Sequence, residues 1–107
     1  MRSKIADKMT AHVVNPVLYA QKKFGSQEVE TNEKGQMKYK CPVQIVDETG
    51  HLLSLDVIVW AEGNPFEGMK TLDPVVFTDC EISYGFFSRD GRPTKYWNIL
   101  AKSVKRA

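Results

Sequence analysis

The chain has 107 residues, with 15 Lys and Arg against 13 Asp and Glu and a formal net charge of +2. That length makes one domain, and a hydrophobic fraction of 42% supports one modest core. This excludes a multidomain enzyme and a long disordered chain. No apolar run approaches the ~18–20 residues of a transmembrane helix. The N-terminal stretch MRSKIADKMTAHVV lacks the apolar segment of a signal peptide. The expected compartment is therefore cytoplasmic, with no membrane partner.

Residues 1–9 read as an N-terminal extension in which 2–9 allow a turn or two of helix. Residues 10–107 read as a single domain. A first strand is expected over 10–20, where Val, Leu and Tyr are frequent and Pro16 argues for an edge or a bulge. Residues 22–36 are polar, carry Gly25 and Gly35, and read as a long loop containing a hairpin. A second strand over 38–47 alternates, with Tyr39, Cys41, Val43 and Ile45 on one face and Lys38, Lys40, Gln44 and Val46 on the other. A short turn at Glu48-Thr49-Gly50 leads into a third strand over 52–60. There Leu53, Leu55, Val57 and Val59 share a face, opposite Ser54, Asp56, Ile58 and Trp60.

Residues 61–70, AEGNPFEGMK, read as a loop with at most a short helical turn. A fourth strand over 74–87 places Val76, Cys80, Ile82, Tyr84 and Phe86 on one face. Asp90-Gly91 then marks a hairpin, because Gly accepts the positive φ such a turn needs. The last strand, 95–105, has Trp97, Ile99 and Ala101 inward and Tyr96, Asn98 and Lys102 outward. The fold class is thus all-β, with at most one or two short helical turns. Five antiparallel strands of this size leave exposed edges unless they curl closed. The expected architecture is a five-stranded antiparallel oligonucleotide/oligosaccharide-binding (OB) barrel, with an SH3-like barrel as the runner-up.

The near-zero net charge hides a pattern. Residues 1–40 hold eight basic and four acidic side chains, residues 41–88 hold one and eight, and residues 89–107 hold six and one. Segregation of this kind either makes a basic surface, if the two ends meet in space, or is mixed away by folding.

Catalytic patterns are missing. His12 and His51 sit in no metal or triad spacing, and no phosphate-binding, nucleophile-elbow or zinc-protease motif occurs. Asp73 and Asp79 read as solvated carboxylates and not as metal ligands. Cys41 and Cys80 lack zinc-site spacing and read as buried, reduced thiols. The chain is read as a non-enzyme without a cofactor.

Single-strand binders join a basic groove to rings on which bases stack, each stack contributing ~1–3 kcal/mol. Here the last hairpin offers Arg89, Arg92 and Lys95 with Phe87 and Tyr96 on its arms. The second strand adds Lys38 and Lys40, and Trp60 shares their outward parity if the hairpin register holds. The long first loop adds Lys22 and Lys23 beside Phe24, and Lys102 follows on the last strand. In an OB barrel these elements form the usual ligand surface. Tyr84, Phe86 and Trp97 share parity with core positions and read as core. Phe87, Tyr96 and Trp60 are the candidate stacking rings.

The order of motifs carries a resemblance. The stretches VVNPVLYAQKKFG, KGQMKYKCPVQIVD, LDPVVFTDCEISYGF and YWNILAKSVKR, spanning most of residues 12–106, resemble small accessory proteins of mobile elements. These are the OB-fold-like single-stranded-DNA-binding and helicase-processivity proteins of Gram-positive conjugative elements and plasmids. The resemblance implies binding of single-stranded DNA, without strong sequence preference, in support of a replication or transfer machine. A helicase or polymerase of the same element is the implied protein partner. It brings no catalytic residues. The alternative is a protein-interaction adaptor docking on a larger replication, transfer or phage protein.

Overall fold

The computed structural model describes residues 2–23 and 25–107. Six strands follow one another: β1 (Arg2–Val13), β2 (Met37–Val46), β3 (Leu52–Ala61), β4 (Pro74–Arg89), β5 (Arg92–Ala101) and β6 (Ser103–Arg106). Their sheet order is β1-β2-β3-β5-β4-β6, and β1 also pairs with β4. The first five strands therefore close into a ring, and β6 continues the sheet along β4. The pairings are antiparallel except β3 with β5, which is parallel. This is the OB-like barrel expected from the strand count.

Alternation puts the core where the sequence placed it in β2 and at Val57 and Val59 of β3, whereas Leu53, expected with them, is exposed and Ile58, expected on the opposite face, is buried. Tyr39, Cys41 and Val43 of β2 and Val57 and Val59 of β3 are buried, joined by Ala11 and Val13 of β1 and Ile99 and Ala101 of β5. Small side chains at Ala11, Cys41, Cys80 and Ala101 suit the narrow interior of a five-stranded barrel. Loop 62–73 closes the core with Phe66 and Met69, and Phe66 packs against Phe77 with ring centroids 6.2 Å apart. Asn64 holds that loop by donating from Nδ2 to the Val17 carbonyl at 2.7 Å, while its Oδ1 accepts the Phe66 amide at 2.9 Å. No helix forms there among the described residues.

Four further expectations need correction. Residues 2–9 are strand, not a helical turn, because Arg2–His12 pair along β4. The first strand ends at Val13, and residues 14–20 leave the sheet. In β4 the inward residues are Val75 and Phe77, not Val76. The cause is Asp79, a non-glycine at φ +49, which breaks the alternation so that Cys80 and Ile82 face inward beyond it. Finally, the single last strand is two, bent at Lys102, whose amide donates to the Thr78 carbonyl at 2.9 Å.

Most important for function, β4 is longer than the barrel. β1 pairs with it only as far as Ser83, and β3 pairs with β5 only from Val57↔Ile99 to Val59↔Ala101. From Tyr84↔Trp97 to Arg89↔Arg92, β4 and β5 pair with each other, and no third strand joins them among the described residues. At ~3.4 Å per residue this two-stranded arm projects about 17 Å. Asp90 and Gly91, both at positive φ, close it in the two-residue turn that matches strand twist. Pro93 is tolerated within β5 because the arm's outer edge is unpaired.

Candidate nucleic-acid interface

The sequence-predicted residues fall into three groups. Lys22 and Lys23 lie on a small hairpin within loop 14–36, where Lys22 bridges to Val29. Lys22 Nζ donates to Gln27 Oε1 at 3.0 Å, and Lys23 lies 3.7 Å from the Glu28 carboxylate. This hairpin folds onto the edge of β2, with the Gln21 amide donating to the Lys38 carbonyl at 2.7 Å. Phe24 falls outside the described residues.

The second group is the outer face of β2, β3 and β5. Lys38 pairs in register with Trp60, and Lys40 with Ile58, so the outward parity assumed for Trp60 holds. Both lysines are already neutralised: Lys38 lies 3.3 Å from Glu30 and Lys40 lies 3.7 Å from Asp56. Trp60 is half-buried in a groove of about 780 Å³. Leu100 and Lys102 share its lining, and the turn over residues 31–36 forms one wall. Its charge is mixed, with Arg2, Lys34 and Lys102 set among Glu33, Asp79 and Glu81. A single-strand phosphate track running only along this face meets as many carboxylates as cations.

The third group, the β4–β5 arm, differs. Arg89, Arg92 and Lys95 are exposed and have no ion-pair partner among the described residues. Phe87 and Tyr96 are exposed at 45% and 43%, and their rings meet at 6.0 Å on one face of the arm. Gly85 makes this possible. A Cβ there would come within 2.7 Å of the Tyr96 hydroxyl, so the bare glycine backbone is the bed on which the ring lies.

Two further arm rings were read as core and are not. Phe86 is 69% exposed and Trp97 is 58% exposed. Their parity with Ile82 and Ile99 is as expected, but they stand beyond the last residue at which the barrel has an opposite wall. Arg2 and Lys34 at the groove were also missed. The available signal was length: the unbroken strand-like run from Pro74 to the Asp-Gly turn exceeds the others, and a barrel of fixed height cannot enclose all of it.

The remaining polar chemistry is structural. Asp47 accepts from the Thr49 hydroxyl and from the Thr49 and His51 amides, which hold its carboxyl below the usual range. Asp73 accepts the Lys70 amide at 2.8 Å and lies 3.9 Å from Arg106, which also donates to the Gly68 carbonyl. Burial pushes the Cys41 thiol up to about 11, with Asp56 adding to the shift, and Cys80 moves the same way. Both thiols are free and buried. Among the described residues no three His, Cys, Asp or Glu side chains gather closely enough to hold a metal ion.

No protein-family model matches the sequence, and no curated protein matches it. Solved structures match it by shape. The chain is similar to the dimeric N-terminal domain of PriB protein from Thermoanaerobacter tencongensis, with TM-score 0.55 and 9% identity over 94% of this chain and 92% of that one. It is similar to the small single-stranded DNA-binding protein from Streptomyces coelicolor, with TM-score 0.52 and 14% identity over 100% and 94%. It also resembles the Plasmodium falciparum SSB solved in complex with ssDNA, with TM-score 0.50 and 10% identity over 100% and 99%. At such identities the likeness speaks for the backbone and not for individual side chains. The chain therefore has the closed OB-like barrel that these three proteins share.

Proposed function

We infer that this protein binds single-stranded DNA, without strong sequence preference. The observation that carries the reading is the projecting arm. It presents Phe87 and Tyr96 as stacking rings beside Arg89 and Arg92, with Lys95 on the arm's other face, and none of these three cations has an ion-pair partner among the described residues. Rings accept any base, and unpaired guanidinium groups seek phosphate, so the chemistry is that of single-strand binding. Trp60 and Lys102 in the groove are assigned to the same site, and Lys22 and Lys23 on the loop hairpin join it in this reading. Lys38 and Lys40 contribute once a phosphate displaces Glu30 and Asp56. Two structural neighbours, the small single-stranded DNA-binding protein and the SSB solved with ssDNA, support this reading. An accessory role in a replication or mobile-element machine goes with it.

Titration of fluorescent poly-dT at two salt concentrations tests the reading. Binding at low salt that falls steeply with added salt is expected, because phosphate neutralisation releases counterions. Negligible binding at low salt would sink it.

A second reading, a protein-docking adaptor, is favoured by Val46, Leu52 and Leu53, exposed together at the β2–β3 hairpin. A single-stranded-DNA column separates the two. A pure adaptor flows through alone and is retained only with its partner.

A further inference from the structure

The arm is two strands wide and stands clear of the barrel, so it has two free faces. Alternation sends Phe87, Arg89, Arg92 and Tyr96 to one face, the face used above. It sends Tyr84, Phe86, Lys95 and Trp97 to the other, with Tyr84 engaged at its base and Phe86, Lys95 and Trp97 exposed. This second face continues the barrel's inner row from Ile82 and Ile99. Within the barrel such rings would meet an opposite wall. Past Ser83 the β1 pairing has ended, and β3 has already parted from β5, so Phe86 and Trp97 remain exposed.

The two faces set similar residue types in the same diagonal register, although Tyr84 stands opposite Trp97 where Gly85 stands opposite Tyr96. Phe87 pairs with Thr94, and Tyr96 lies two residues further along β5. Phe86 pairs with Lys95, and Trp97 lies two residues further along β5. Each face thus carries a phenylalanine and a diagonal aromatic partner, within the reach of large side chains across a strand pair. Each also carries unpaired positive charge. On the second face this is Lys95; none of the arm residues that alternate onto this face is a carboxylate, and Asp56, which borders a pocket with Trp97, is already paired with Lys40. An anionic, ring-bearing ligand complements this face better than an uncharged apolar one does.

We propose that the second face is a separate single-strand site, so that one molecule holds two segments of single-stranded nucleic acid, one on each side of the arm, and bridges them. The proposal rests on the single-strand reading above and adds an activity to it: bringing two strands together.

The test mixes donor-labelled and acceptor-labelled dT oligonucleotides, which cannot pair with each other, with the full chain. Energy transfer is expected at limiting protein. Phe86→Ala with Trp97→Ala should keep strand binding within a few fold and lose the transfer. Lys95→Glu, which leaves every ring in place, should reduce transfer more than binding, and it serves if the double variant does not fold. Independently, Trp60→Phe leaves Trp97 as the sole tryptophan. Its emission should be quenched by dT, also when Phe87→Ala and Tyr96→Ala are added.

Strand binding without transfer overturns the proposal. So does transfer that survives loss of Phe86 and Trp97, because the bridge then lies elsewhere, for instance between two copies. Trp97 emission that responds to protein concentration but not to dT also overturns it, and assigns the face to self-association. Absence of any dT binding is a different result, since it removes the single-strand reading itself.

Discussion

The barrel body and the arm are built from the same strands, and they treat the same residue types in opposite ways. In the body, apolar rows meet across the ring, so Phe77 and Tyr39 are buried. In the arm, the same row reaches Phe86 and Trp97 and leaves them exposed. Charges divide in the same way. The body balances 12 basic against 12 acidic side chains, with Lys38 paired to Glu30 and Lys40 to Asp56, whereas the arm sets Arg89, Arg92 and Lys95 against Asp90 alone. The difference is one of composition: the body carries the packed core and balanced charge, and the arm carries exposed rings with an excess of positive charge.

Variants that strike one region only should break this comparison if it is wrong. The largest effect is expected in the body. Phe77→Ala removes a fully buried ring that packs on Phe66 and should cost about 3–5 kcal/mol of stability. Denaturant unfolding measures it, and the protein that stays folded should bind dT as before.

Next come the arm rings. Phe87→Ala and Tyr96→Ala should each weaken dT binding by about 1–3 kcal/mol while changing stability by less than about 0.5 kcal/mol. Arg89→Ala with Arg92→Ala should lower the slope of log affinity against log salt by about 1.4, at ~0.7 per lost contact on a single strand. A large stability loss in either variant would mean that the arm is part of the folding core.

The third effect is alkaline and belongs to the body. Burial raises the Cys41 thiol to about 11, so the folded state holds its proton at pH values where the unfolded chain has released it. Stability is therefore unaffected below about pH 8.5 and falls as pH rises toward 11. The loss is about 1 kcal/mol by pH 10. Unfolding curves of the wild type and Cys41→Ala at pH 8 and pH 10 measure it: the wild type should lose more.

The smallest expected effect lies on the border between the regions. Glu30→Gln frees Lys38 from a half-buried ion pair whose own contribution to stability is below about 1 kcal/mol. It should tighten dT binding at low salt by a few fold and steepen the salt slope by about 0.7. An unchanged slope would take Lys38 out of the interface.

Much of this was readable from the residues. Tyr39, Cys41 and Val43 faced the core because a strand's side chains alternate, and Lys38 fell beside Trp60 because the short turn after Asp47 sets the register. Asp90-Gly91 closed the arm as its φ requirements dictate. The errors had local physical causes. Asp79 adopts a left-handed conformation that few residues take, and it reversed the parity of Val75, Val76 and Phe77. The first strand began at Arg2 because pairing along β4 outweighed the weak helical preference of a charged segment.

The candidate site was legible as composition and illegible as geometry. Phe87, Arg89, Arg92, Lys95 and Tyr96 were named from their residue types and nearness to one turn, and they do share the arm. Lys38 and Lys40 were named on the same grounds, and only folding brought Glu30 and Asp56 against them. Alternation and turn chemistry are local properties, so the sequence by itself determined the inward face of β2, its hairpin register with β3 and the closing turn. Where β1 stops pairing with β4, which carboxylate reaches which lysine, and hence which aromatic rings are core and which are free, depend on contacts between distant segments. Those the tertiary structure alone decided.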